Sequence, residues 1–357
     1  MSLKKRAGLV VILIVAAASA YLLFAPVPIT PAAWTPPPAP PLSGPYEKNT
    51  RLSPVQRLSL GEGHSPEDVA LDAEGKIYAG FEDGRIMVLE PDGTQPRVFA
   101  NTSGRPLGLI FDQSGNLIVA DALKGLLSVS KAGEVKVIAT EADGVRFGCL
   151  NDLDVAADGT IYFTEASHKF SMSEHVHDLM EHQPNGRLLA LDPQSARPRT
   201  LLRGLYFANG VAVSPDQTFV LVAETGTYSI RRVWLKEPKM GQNDVFIDNL
   251  PGFPDGLSSN GKDKFWLALV TPRQAIFDRM LPYPFVRKVV FRLPKFLHPR
   301  PQRYSFVLGL DFNGRVVDNL QNDSPDSYAQ ISNVVERNGT LYFGSIGENT
   351  LGRFTLR

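Results

Sequence analysis

One pattern recurs six times along the 357 residues: a short strand, a polar turn of Gly, Asp or Asn, and a second strand rich in Ile, Val, Tyr and Phe. The copies read EDVALDAEGKIYAG from Glu67, LGLIFDQSGNLIVAD from Leu107, NDLDVAADGTIYFTE from Asn151, NGVAVSPDQTFVLVAE from Asn209, DGLSSNGKDKFWLAL from Asp255 and SNVVERNGTLYFGSI from Ser332. Each is a hairpin by its turn chemistry. Successive starts lie 40, 44, 58, 46 and 77 residues apart. The short spacings match a four-stranded propeller blade and the long ones imply insertions. The repeat predicts an all-β chain, a six-bladed β-propeller with lid insertions over residues 46–357. A TIM barrel is disfavoured, because no long helical period alternates with the strands.

Composition narrows the function classes. Lys and Arg number 37 and Asp and Glu 37, a formal charge of zero. A nucleic-acid partner is not expected, since phosphate binding calls for a basic excess. At 43% hydrophobic and 21% charged the chain can build a core. A single cysteine rules out an intramolecular disulfide framework and a Cys-rich zinc site.

The first 45 residues stand apart. Lys4, Lys5 and Arg6 precede AGLVVILIVAAASAYLLF, an uncharged run from Ala7 to Phe24 long enough to span a bilayer. Residues 1–24 are predicted to be a basic flank and transmembrane signal anchor, with the propeller on the non-cytoplasmic side. The alternative is a signal peptide cleaved after Ala18-Ser19-Ala20 and a secreted product. Residues 25–45 hold prolines at 26, 28, 31, 36, 37, 38, 40, 41 and 45 and read as a stiff polyproline linker without a core of its own.

In a propeller the first strand of each blade lines the central channel, so equivalent repeat positions form a ring. The opening residues are Glu67, Leu107, Asn151, Asn209, Asp255 and Ser332. Glu67, Asn151, Asn209 and Asp255 supply hard oxygens with two formal negative charges, a donor set suited to calcium. Asn and Asp also cap turns ahead of strands, but four such residues at one repeat position exceed what turns require. One residue further on, Asp68 and Asp152 could face a point below, joined by the Leu109 carbonyl, as ligands of a second, structural calcium. The competing reading is a pair of turn-stabilising aspartates.

At these residues the chain resembles a known family. YFANGVAVSPDQTFVLVAETGTYSIRRVWL, NLPGFPDGL, FWLAL, GRLLALDP and VVERNGTLYFGS are similar to the strictosidine-synthase-like family, which includes the adipocyte plasma membrane-associated protein. More broadly the chain resembles the calcium-dependent propeller hydrolases: paraoxonases, gluconolactonases and diisopropylfluorophosphatase. The resemblance implies a catalytic calcium held by Glu67 in SPEDVA, Asn151 in CLNDL, Asn209 in FANG and Asp255 in FPDG. The acidic residues after the first two paraoxonase ligands are matched by Asp68 and Asp152. There are departures. The paraoxonase pattern carries a His near Leu107 and an Asn where this chain has Gly256. The strictosidine synthase pattern carries a catalytic Glu where this chain has Ser332, which argues against a condensation of amine with aldehyde.

The function expected is calcium-dependent hydrolysis of lactones or aryl esters, the ion polarising the scissile carbonyl. Asp255 is the expected general base or nucleophile, although ligation to calcium would lower its basicity. The alternative is a non-catalytic, membrane-anchored binding or scaffold propeller with structural calcium. Cys149 reads as a small buried residue rather than a nucleophile. SHKFSMSEHVHDLMEH, Ser167 to His182, fits no zinc spacing and reads as a polar helix with solvated histidines. By strand count this insertion and one from about Thr271 to Pro301 hang over the ring as lids. Basic and apolar residues alternate from Arg273 to Arg303, which suits contact with an anionic membrane or, equally, a lid packed on the propeller.

Overall fold

The computed structural model describes residues 3–195 and 197–356. Six four-stranded antiparallel sheets are arranged in chain order as the blades of a propeller. Their innermost strands are Val69–Leu71, Pro106–Phe111, Cys149–Val155, Ala208–Val213, Gly252–Ser259 and Ile331–Arg337. The sixth blade is completed by a strand from the start of the domain. Gln56–Ser59 pairs antiparallel with Thr350–Thr355, Gln56 facing Arg353 and Ser59 facing Thr350. The first and last segments of the propeller are thereby fastened to each other, and the ring closes.

Burial explains the sequence pattern of the strands. Ile161–Ser167, Phe219–Glu224 and Phe265–Pro272 are buried along their whole length. Each has a blade on both faces, so its apolar residues run almost without interruption. The outer strands Arg97–Asn101 and Val135–Ala139 are largely exposed. The core lies between blades: Tyr162 and Leu188 of the third pack with Val211, Val220 and Val222 of the fourth. Each fully buried side chain of this kind contributes about 1.5–3 kcal/mol.

Blades approach most closely at the channel. At Gly210 an added Cβ would lie 2.3 Å from the Leu257 nitrogen, and at Gly256 2.4 Å from the Ser332 carbonyl oxygen. Gly256 therefore cannot be the Asn of the paraoxonase pattern without moving blade six. Hydroxyl groups latch the seams. Thr164 Oγ1 donates to the Asn209 carbonyl (2.6 Å), Thr225 Oγ1 to the Pro254 carbonyl (2.7 Å), and Ser332 Oγ to the Glu67 carbonyl (2.5 Å).

The two insertions are lids. The third-blade insertion forms a 3-10 turn, Met172–Glu174, and a helix, His175–Glu181. The fifth-blade insertion forms helices Ala275–Met280 and Pro284–Arg292 and a 3-10 turn, Lys295–Leu297. The histidines are less solvated than expected. His182 is buried and stacks on Trp34 at 4.5 Å between centroids, and His177 meets Phe170 and Phe291 edge-on. Cys149 is buried, as expected, against Met172.

The proline-rich segment differs from the expected free spacer. Ile29 is 1% exposed, and Trp34 packs against His182 and Tyr228. Polyproline backbone makes no internal hydrogen bonds, so its carbonyls are open to outside donors. Arg273 Nη2 donates to the Pro37 carbonyl (2.7 Å) and Asn249 Nδ2 to that of Pro38 (3.1 Å). Arg287, fully buried, donates to Met180 (2.8 Å), Leu281 (3.0 Å) and Ala32 carbonyls, tying both lids to this strap. Arg287 is thus unavailable to lipid. The N-terminal helix, Leu3–Phe24, is about 33 Å long, enough to cross a hydrocarbon core.

Gly256→Ala is expected to destabilise the propeller by about 1–3 kcal/mol, because a methyl forced against backbone cannot be absorbed by side-chain rotation. Thermal unfolding should show a lower melting temperature than for the wild-type chain, since the Gly256 Cβ would lie 2.4 Å from the Ser332 carbonyl oxygen.

Candidate metal centre

Glu67, Asn151, Asn209 and Asp255 come together as anticipated. They line one small pocket on the axis with Asp68, Leu107, Gly108, Asp152, Gly256, Ser332 and Asn333. The four are 5–7% exposed. The local cause is a shift of register at the head of the inner strands. Pairing skips between Leu150 and Leu153, between Ala208 and Val211, between Pro254 and Leu257, and between Ile331 and Asn333. Bulges bend a strand and re-aim its side chains. Two consecutive residues, such as Asn151 and Asp152, can therefore both face the channel, which regular alternation forbids.

Asn209 is held from behind: its Nδ2 donates to Thr225 Oγ1 (3.1 Å), and Thr225 is itself latched to Pro254. Glu67 has a partner the sequence reading missed. Arg105 Nη2 donates to Glu67 Oε2 (2.9 Å) and to Ser65 Oγ (3.1 Å), and both members of the ion pair are buried. Arg105 lies two residues before ring residue Leu107, and that proximity was the available signal.

The second layer is made differently from the expected set. Leu109 meets Asp68 through its N–H, which donates to Oδ2 (2.6 Å), and not through its carbonyl. Asp68 also accepts from its neighbour Val69 and from Asn333 Nδ2. Asp152 accepts from the Val211 N–H (2.9 Å) and from Leu153 (2.8 Å), and Asp154 from the Val213 N–H (2.7 Å). Asp68 thus bridges blades one and two, and Asp152 and Asp154 bridge three and four. These contacts are seam interactions between blades, not contacts within turns.

Electrostatically the axis is short of positive charge. Burial, then the charge of Glu67, raises the Asp255 carboxyl well above its ordinary range. Burial raises Asp68 in the same direction, with Asp152 adding to it. Burial also lifts Asp152 to about 7 and Asp154 to about 6, against the pull of their backbone donors. Carboxylates in that condition are stabilised by a cation. Among the described residues, no three His, Cys, Asp or Glu side chains converge to hold a metal alone. An ion here would therefore need the amide oxygens of Asn151 and Asn209 as well as Glu67 and Asp255. That all-oxygen set suits calcium.

Comparison with known proteins is consistent with this geometry. The strictosidine synthase profile matches residues 151–238, and the strictosidine synthase-like N-terminal profile matches 44–89. Strictosidine synthase-like protein 4 of Arabidopsis thaliana is 34% identical over 312 residues, covering 85% of this chain and 83% of the relative. The chain belongs to the strictosidine synthase-like family. The bovine adipocyte plasma membrane-associated protein is similar at 34% identity over 361 residues, covering 94% and 86% of the two chains. A gluconolactonase from Xanthomonas campestris superposes with a TM-score of 0.62 at 18% identity, over 93% of this chain and 98% of that one. Regucalcin, a calcium-binding protein of Agrobacterium tumefaciens, does so at 0.60 and 14%, over 84% and 93%. At these identities the solved structures show that this family member shares their propeller fold.

A pH-dependent stability follows from the raised carboxyls. Their folded-state pKa values lie above the ordinary value of about 4, so folding favours the protonated forms. The stabilising contribution is full below about pH 4 and is lost as pH rises through about 7 for Asp152. Chelator-treated protein is expected to melt at progressively lower temperature from pH 4 to pH 7. Saturating calcium should flatten that slope, and an upward slope after chelation would show that the axis charge is already balanced.

Proposed function

We propose that the chain is a calcium-dependent hydrolase of lactones or aryl esters acting at the channel mouth. The observation carrying this reading is the convergence of Glu67, Asn151, Asn209 and Asp255 in one axial pocket, where Arg105 pairs with Glu67 and burial raises the Asp255 carboxyl. The propeller neighbours include gluconolactonases, which supports hydrolysis of a cyclic ester as the reaction class. Calcium held there would supply Lewis-acid polarisation of the substrate carbonyl. The residues of the chain do the rest. Thr225 and the Pro254 carbonyl fix the Asn209 amide. Arg105 fixes Glu67. The lids pack beside the ring, Met172 and Leu179 on Leu107 and Phe277 on Phe253, where they would restrict bulk water.

In this reading Asp255 acts on the acyl group. It either takes the proton from a water that adds to the acyl carbon as the ester C–O bond breaks, or adds to the acyl carbon itself, expelling the alkoxide and leaving a mixed anhydride that water then hydrolyses. The pocket wall carries no histidine, so the paraoxonase-like base has no counterpart there. A single turnover in ¹⁸O-water reads the route: direct water attack labels the product acid at once, whereas a mixed anhydride hydrolysed at the Asp255 carboxyl carbon leaves the first product unlabelled and puts the label in Asp255.

That same lack of a histidine favours one second reading, a membrane-anchored binding propeller whose calcium is structural. On either reading Lys4, Lys5 and Arg6 would hold the N-terminus in the cytoplasm and place the propeller across the membrane. Turnover of phenyl acetate and a lactone panel decides between enzyme and binder. Asn209→Ala and Asp255→Ala are each expected to lower kcat/KM by at least about 100-fold while the circular dichroism of the propeller is kept, in line with the loss of one electrostatic contact to a developing oxyanion. EGTA should abolish activity and calcium restore it. Undiminished hydrolysis in EGTA would refute the metal-dependent mechanism, and no hydrolysis of any panel member would leave the binding role.

A further inference from the structure

We propose that the outer face of the blade-five insertion is seated on an anionic phospholipid surface, so that the channel mouth opens toward the bilayer. The inference stands on the N-terminal helix and the lids and is independent of any catalytic reading.

The first observation is a contact between the insertion and the membrane-length helix. Arg292 Nε donates to the Ala25 carbonyl and Nη1 to the Leu22 carbonyl, both at 2.7 Å. Carbonyls in the last turn of a helix have no partner within it, and a guanidinium there satisfies them and the negative end of the dipole. The lid helix Pro284–Arg292 thus ends where the membrane helix ends.

The second observation is the short tether. Ile29 is already buried against Phe170 and Met180 of the other lid. Four residues lie between it and Phe24, a reach over five steps of at most about 18 Å at ~3.3–3.6 Å per residue. Beyond Ile29 the strap is tied down by Arg287, Arg273 and Asn249. A propeller held this way keeps its lids near the end of Leu3–Phe24, within reach of a bilayer surface there.

The third observation is the chemistry of the face. Within Pro284–Arg292 the inward residues are Arg287, Val290 and Phe291. Phe285, Val289 and Arg292 recur at spacings of four and three and share another side, the side of the membrane helix. Phe285 is 55% exposed, and Ile276, Tyr283, Phe296 and Leu297 are exposed to a similar degree or more. Around them stand Arg279, Lys288, Lys295 and Arg300. The insertion's one acid, Asp278, is neutralised internally by Arg273 at 2.7 Å. Apolar anchors rimmed by uncompensated bases match the boundary of an anionic leaflet. The ring lies beneath: Leu107 packs in one cluster with Met172 and Leu179 of the first lid, and Phe253, two residues before Asp255, meets Phe277 of the second at 5.8 Å.

The test uses the full chain in phosphatidylcholine–phosphatidylserine vesicles. Phe285→Cys, Phe296→Cys and Lys262→Cys are each labelled with a membrane-impermeant environment-sensitive thiol fluorophore. Cys149 stays unlabelled, because it is buried and burial pushes its thiol pKa up. Lys262 lies on an exposed turn at the far end of blade five from Asp255. Nitroxide lipids spin-labelled near the headgroup should quench emission at 285 and 296 and leave 262 bright. High salt, or Lys288→Gln with Lys295→Gln, should reduce the quenching. Should 285 and 296 stay as bright as 262 while the helix is inserted, the face is clear of lipid and the proposal fails. Equal quenching at all three positions overturns the orientation. The label at 296, outside any α-helix, keeps the test valid if the substitution at 285 impairs folding.

Discussion

The carboxylates on the channel axis join the blades and also define the site above them. Asp68 reaches from the first blade to the Leu109 N–H of the second, and Asp152 from the third to the Val211 N–H of the fourth. Each buried acid takes two or more backbone donors and still has its proton affinity raised by burial. The seam bonds therefore satisfy geometry without cancelling charge. Glu67 and Asp255 share the same desolvated well, and among the pocket's neighbours Arg105 alone contributes a positive charge, paired to Glu67. A propeller with this axis is assembled around a deficit of cation, and the Asn151 and Asn209 amides stand where a hard ion would complete it.

The top face is a second unit of design. Its centre is Arg287, whose guanidinium is shared among carbonyls from the third-blade lid, the fifth-blade lid and the juxtamembrane strap. A buried arginine survives because it has several acceptors in reach. Both lids and the strap are consequently fixed with respect to one another, and the segment that leaves the N-terminal helix also packs against both lids.

Family membership and the site overlap unevenly. The two family profiles span Glu67, Asp68, Asn151, Asp152 and Asn209, whereas Asp255 lies outside both. Two departures from related patterns acquire reasons. Gly256 is imposed by the approach of blade six. Ser332, where the strictosidine synthase pattern has its acid, uses its hydroxyl to latch the Glu67 carbonyl and close the first and last blades.

Much of this was readable from the residues. The hairpin repeat determines six blades, because alternation and turn chemistry are local. It also determines the ring, since equivalent repeat positions must meet on the axis. The positions of both lids follow from counting strands. The register breaks at Leu150, Ala208 and Pro254 are not legible, because a bulge depends on how the neighbouring blade packs. Nor is the Arg105–Glu67 pair, which spans 38 residues of sequence between adjacent blades. The N–H of Leu109, rather than its carbonyl, faces Asp68 because the antiparallel ladder in the second blade sets its direction. The prolines announced an extended segment whose carbonyls are largely left open to outside donors. Only the tertiary structure supplied Arg273, Asn249 and Arg287 to receive its carbonyls, because those donors come from parts of the chain more than 200 residues away.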